Sequence, residues 1–176
     1  ANKMDELVQD VKPYTIVSAV IKEDLCNYGY EIKNGICSGD KIPTRKGSKV
    51  IHNDMRDAFR KLNVHLAFID DAFKSVVVES IEDASEYELV SNYSVTGFKV
   101  AGNEENEGFI ISGEKWVTHG SISLNDMPKI TRATNYRFYD DLKDAIEHAI
   151  IEVEAYMNGK SGEVESEQGE FDFKDE

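Results

Sequence analysis

The sequence is poor in cysteine and proline, carries one tryptophan, and contains no long apolar run. Its two cysteines, Cys26 and Cys37, make no disulfide framework, and without a CxxC partner or a nearby histidine pair they make no zinc site. Free thiols in a reducing compartment are therefore expected. No apolar stretch approaches the ~20 residues that span a bilayer, and the first residues lack a basic region followed by an apolar core, so no membrane partner and a cytoplasmic location are expected. The four histidines, His52, His65, His119 and His148, stand far apart and in no HExxH or HxH setting, which implies no metal. His65, beside an apolar helical stripe, reads as structural. Gly102, Gly108 and Gly113 fall in hairpin positions and not between a strand and a helix, so no phosphate-cradling loop is implied. No nucleophile, base and charge stabiliser form a recognisable set, so neither an enzyme nor a cofactor is expected.

Acidic charge is abundant, but unevenly spread. The formal charge is -14, yet residues 12–61 hold ten Lys/Arg against six Asp/Glu, whereas residues 70–94 and 162–176 each hold seven acids against one lysine. The overall acidity disguises a basic N-terminal half, so net charge does not exclude nucleic-acid binding. The acidic end also carries Phe171 and Phe173. Such a segment buries too little apolar surface to offset its ordering entropy, so 161–176 is expected to be a disordered tail. It reads either as a solubilising terminus or as a peptide, Glu170, Phe171, Asp172, Phe173, Asp175 and Glu176, offered to a partner.

Between a polar leader at 1–12 and this tail, one globular domain is expected over 13–160. A β-branched strand is predicted at Tyr14–Ile21 and a second at Asn27–Lys33, with Tyr28, Tyr30 and Ile32 alternating on one face. Asn34-Gly35 suggests a tight hairpin turn. A third strand within 39–51 is interrupted by Pro43 and Gly47, as at an edge or a bulge. From Asn53, a candidate N-cap, Met55, Ala58, Phe59, Leu62, Leu66 and Ile69 recur at helical spacing. A strand fragment is read at Ser75–Glu79, then strands at 94–100, 109–112 and 115–119 running on to Ile122 and Leu124. The clearest helix is Tyr139–Met157, apolar along one stripe and acidic opposite.

Strands joined by short turns, with helices segregated, indicate an α+β or mainly-β domain. The expected architecture is a five-stranded antiparallel barrel of the oligonucleotide/oligosaccharide-binding type, with a helix between strands three and four and a C-terminal helix. The alternative is an open antiparallel sheet with two helices on one face. Single-stranded nucleic acid needs a positive groove and aromatic faces on which bases stack. The candidates are Lys41, Arg45, Lys46 and Lys49 around the third strand, Tyr28 and Tyr30 before it, and Phe98, Lys99, Lys115 and Trp116 in the later strands. Aromatics alternating in strands also read as core, and a Lys/Arg run as a solvated face.

A single domain with this strand order, a basic loop and an acidic tail containing phenylalanine resembles the single-stranded DNA-binding proteins of bacteriophages and other mobile elements. The resemblance implies binding of single-stranded DNA and a tail that recruits replication or recombination proteins and regulates binding by occupying the DNA groove when DNA is absent. Here Glu170, Phe171, Asp172, Phe173, Asp175 and Glu176 match that tail by composition; Lys174 interrupts the acidic run, and the chain does not end in phenylalanine. The segments His52-Asn-Asp-Met-Arg-Asp-Ala-Phe-Arg-Lys-Leu-Asn-Val-His-Leu66 and Val95-Thr-Gly-Phe-Lys-Val100 are also similar to uncharacterised small proteins of phages and conjugative elements of gut bacteria. The competing reading is an acidic protein-binding module that inhibits or recruits a host factor, its acidic stretches at 70–94 and 140–176 mimicking DNA.

Overall fold

The computed structural model describes residues 13–102 and 105–162. The leader at 1–12 and the tail from residue 163 onward, with all six tail candidates, lie outside the described residues.

The N-terminal half is a three-stranded meander. The β-branched run becomes β1 (Tyr14–Lys22), and a two-residue turn, with Glu23 left-handed at φ 57, returns the chain into β2 (Leu25–Ile32). The link from β2 to β3 (Lys41–Lys46) is not the tight Asn34-Gly35 hairpin expected. It is a loop through 33–40 in which Gly35 and Gly39 both take positive φ, and the Ile32 N–H donates to the Asp40 carbonyl at 2.8 Å. Pro43 sits in a bulge of an edge strand, where the missing N–H costs no ladder bond.

The predicted helix from Asn53 is two helices, α1 (Asn53–Arg60) and α2 (Asn63–Ile69). His52, not Asn53, is the N-cap, its Nδ1 accepting from the Asp54 N–H at 3.0 Å. The break at Lys61–Leu62 lets the Asn63 side chain accept from the Val95 N–H at 2.8 Å, which ties the start of α2 to the sheet. Residues 75–79 do not form the predicted strand. Their carbonyls are met by side chains instead, with Arg137 donating to Val78 and Glu79 at 3.0 Å and the Tyr87 hydroxyl donating to Val77 at 3.3 Å. A short α3 (Ile81–Ser85) follows, capped by Ser80.

The C-terminal half adds β4 (Tyr93–Ala101), β5 (Gly108–Val117), β6 (Gly120–Leu124), a two-residue β7 (Ile130–Thr131) and the long α4 (Tyr139–Met157). The sheet order is β3-β2-β1-β4-β5-β6, with β7 also on β5. All pairs are antiparallel. The expected barrel closure is not present: β3 and β6 end the path and do not pair with each other. The central β1–β4 ladder is also short, running only from Ser18↔Lys99 to Val20↔Gly97.

Bulges at Val17 in β1, Thr96 in β4 and Pro43–Thr44 in β3 bend this sheet without closing it. Gly29 lies opposite two of them; a Cβ there would stand 2.5 Å from the Pro43 carbonyl oxygen and 2.7 Å from Ser18 Oγ. The helices pack on one face. Phe59 of α1 meets Phe98 at 5.7 Å, Tyr156 of α4 meets Tyr28 edge-on at 6.4 Å, and Tyr139 meets Phe109 at 5.8 Å. Ile16, Ala19, Tyr28, Phe98, Phe109 and Ile111 of the strands close the core against Leu62, Leu66, Leu142, Ile146 and Val153.

Candidate nucleic-acid interface

Because side chains alternate across a strand, the register that buries Ala19, Tyr28 and Phe98 turns their neighbours to the opposite face. Among the described residues no helix packs on that face. It presents Lys22, Lys41, Lys46 and Lys99 against Glu31 and Glu114, with Trp116 on β5. Between them lie Ser18, Asn27, Gly29, Ser94, Gly97, Ser112, Ser121 and Ser123, together with the apolar Val20, Leu25 and Ile110. Trp116 is 51% exposed, paired across the ladder with Ser121, so its ring stands over a floor of small side chains. The opposite side of the molecule is acidic: Asp140, Asp141, Asp144 and Glu147 are exposed on α4.

The structure divides nine of the ten sequence candidates into three groups and sets Tyr30 apart. Lys41, Lys46, Lys99 and Trp116 share the uncovered face. Phe98 and Lys115 belong to the other one. Phe98 is 3% exposed and packed on Phe59, so it is a core residue with no face free for a base. Lys115 is committed to Asp70, 3.0 Å away, under Tyr93, whose hydroxyl donates to the same carboxylate at 2.6 Å. Burial and this acceptor push the Tyr93 hydroxyl far above its ordinary pKa. A half-buried cation held this way is a strut between the loop after α2 and β5.

Tyr28, Arg45 and Lys49 form the third group, at the β3 edge. Tyr28 faces the helices and is nearly buried; Arg45 lies opposite it across the ladder. Burial pushes the Tyr28 hydroxyl up, and the neighbouring Arg45 guanidinium opposes that shift. These residues, with Lys46, Ser48 and Tyr156, line a cup of about 240 Å³. Tyr30 is half-buried, with its ring edge-on to Tyr14 at 5.9 Å.

A cleft of about 690 Å³ opens where β1 and β4 diverge beyond Val20↔Gly97. Its floor is Phe59, and its cations are mostly engaged: Arg56 holds Asp24 at 2.6 Å and Arg60 holds Asp57. Lys22, Ser48 and Tyr156 were missed by sequence reasoning. Alternation from Val20 places Lys22 on the open face, but only once the strand is known to be covered on one side. Tyr156 reads from sequence only as part of a helix stripe, and no local signal brings it to β3.

Cys26 is buried, its thiol pushed up to about 12 by desolvation, and Cys37 is exposed; neither is in a disulfide. His65, buried, lies 2.8 Å from the Tyr136 hydroxyl. Among the described residues no group of three or more His, Cys, Asp or Glu is placed to hold a metal ion, and no helix is long and apolar enough to cross a membrane. No protein-family model matches the chain, and neither a curated protein nor a solved structure does so.

Proposed function

We propose that this protein binds single-stranded nucleic acid, DNA in the first instance, across the uncovered face of its sheet. The observation that carries the reading is the coincidence on that face of four lysines and the exposed Trp116, in a chain of formal charge -14. Lysines contact phosphates, and an indole face offers a platform to any unpaired base. From β3 to β5 is four inter-strand spacings, about 20 Å, a path for on the order of six stacked nucleotides. Duplex fits poorly. Its bases are already stacked, and the long exposed helix that would enter a groove carries Asp140, Asp141, Asp144 and Glu147 outward.

In this reading the protein serves replication or recombination in a phage or mobile element. The acidic C-terminal residues Glu170, Phe171, Asp172, Phe173, Asp175 and Glu176 are then docking points for partner proteins. The acidic face of α4 favours a second reading, a protein-binding module that engages a basic surface on a host factor.

Fluorescence anisotropy with labelled single-stranded and duplex oligonucleotides, at ~50 and ~200 mM salt, tests the first reading. Single strands should bind better. The slope of log K against log salt should shrink by about 0.7 for each lysine–phosphate interaction that Lys46→Ala or Lys99→Ala removes. Trp116→Ala should weaken binding by about 1–3 kcal/mol without changing stability. Absence of wild-type binding at the lower salt would sink this reading and leave the second.

A further inference from the structure

We propose that the cup between β3 and the C-terminal end of α4 is a binding site for a phosphate monoester, such as the terminal phosphate of a nucleic-acid strand. The cup is lined by Tyr28, Arg45, Lys46, Ser48, Lys49 and Tyr156. Its cations are unengaged: among the described residues Arg45, Lys46 and Lys49 form no ion pair, whereas Arg56, Arg60, Lys115 and Lys160 are each held by a carboxylate. The Tyr28 residue is 9% exposed, yet its hydroxyl has no hydrogen-bond partner among the described residues. A donor without an acceptor, at the tip of a packed ring in the mouth of the cup and facing Arg45 across the ladder, is placed to meet an anionic oxygen.

The walls are built before any ligand arrives. The Tyr156 hydroxyl donates to the Lys49 carbonyl at 2.5 Å, which fixes the loop after β3, and Gly47 closes on the Tyr156 ring so tightly that a Cβ would overlap its hydroxyl. A helix C-terminus ordinarily repels an anion. Here the last carbonyls are capped: the Lys160 N–H donates to Ala155 at 2.9 Å and the Gly159 N–H to Tyr156 at 3.0 Å, with Gly159 at φ 113.

A monoester suits this cup better than a diester. It carries close to two charges at neutral pH and three free oxygens for the donors that line the cup. Position agrees: the cup lies past β3, the sheet's edge strand, and Lys46 borders both the cup and the open face. A strand crossing that face and running over its edge would bring its end there. Only this choice of source rests on the nucleic-acid reading; the chemistry of the cup does not.

The test compares oligonucleotides of one sequence bearing a 5′-phosphate, a 3′-phosphate or neither, against wild type, Tyr28→Phe, Arg45→Gln and Lys99→Ala. Tyr28→Phe removes the hydroxyl and keeps the packed ring. One phosphorylated end should bind wild type about tenfold more tightly than the unphosphorylated strand. Tyr28→Phe and Arg45→Gln should erase that preference, whereas Lys99→Ala should weaken all three ligands equally. Equal wild-type affinity for all three would overturn the phosphate cup while leaving the sheet-face reading standing. A separate arm titrates inorganic phosphate at constant ionic strength and follows the amide signals of residues 45–49. If no oligonucleotide binds but those signals shift saturably in wild type and not in Arg45→Gln, the cup stands with a free phosphate compound as its ligand, and the sheet-face reading fails. If no oligonucleotide binds and no signal shifts, the cup is overturned together with the sheet-face reading.

Discussion

Replacing His65 by Gln should flatten the acid limb of the protein's stability curve. His65 sits on α2 at 2% exposure, its Nδ1 2.8 Å from the Tyr136 hydroxyl and its ring edge-on to that phenol at 5.8 Å. Burial holds its pKa down to about 4, against an ordinary 6.5. The unfolded chain therefore binds a proton in a pH range where the folded chain does not, so stability rises with pH there. The contribution is fully present above about pH 6.5 and is lost as the pH falls toward 4. The full shift corresponds to about 3 kcal/mol, and about 2 kcal/mol of it disappears between pH 7 and pH 5. Asp141, pushed up by burial and by Glu82, Asp144 and Asp140, works in the opposite sense, but it is common to both proteins and cancels in their difference. Urea unfolding of wild type and His65→Gln at the two pH values isolates the histidine. The variant starts less stable at pH 7 and loses about 2 kcal/mol less on acidification. Parallel losses in the two proteins would refute a neutral, buried His65.

Two further outcomes follow from the packing. Phe98→Ala should cost about 3–5 kcal/mol in chemical denaturation, because the ring is buried on Phe59, whereas Lys99→Ala one residue on should leave stability unchanged. Gly47→Ala should cost about 1–3 kcal/mol by driving Tyr156 off the β3 loop, and should broaden the tyrosine signals of that cup in NMR spectra.

Element type was legible wherever periodicity was strong. Tyr139–Met157 was read with the bounds the structure gives, since its apolar stripe and acidic outer face agree with each other and with burial. Val76–Val78 shows the limit. Three valines have strand propensity, but propensity supplies no partner, and Val77 ends 87% exposed with its carbonyl held by Tyr87. The Asn34-Gly35 pair was a valid turn signal in the wrong turn, because register across β2 and β3 is set by the bulge at Pro43–Thr44, a non-local feature. The open or closed state of the sheet was equally out of reach, since it depends on whether two distant edge strands meet. Site residues divide for the same reason. Residue type marked Phe98, Lys99, Lys115 and Trp116 alike, and only the face, fixed by the bulge at Thr96, separates core Phe98 and strut Lys115 from exposed Lys99 and Trp116.

Bulk charge and local charge then act at different ranges. At physiological ionic strength the Debye length is about 8 Å, comparable with the ~10 Å thickness of one packed layer. A phosphate on the uncovered face is therefore governed by Lys22, Lys41, Lys46 and Lys99, and the acids of α4, on the far side of the helix layer, are largely screened from it. Near 0.01 M salt the Debye length is about 30 Å and the whole molecule is felt. The formal charge of -14 then slows encounter with a polyanion even while each lysine–phosphate interaction strengthens. Segregating the two signs onto opposite layers lets one acidic chain repel its own copies while keeping a face of the opposite sign. A helix on the second face would bury Trp116 and the lysines together; among the described residues the helices instead form one layer, around which the bulges at Val17, Pro43–Thr44 and Thr96 bend the sheet.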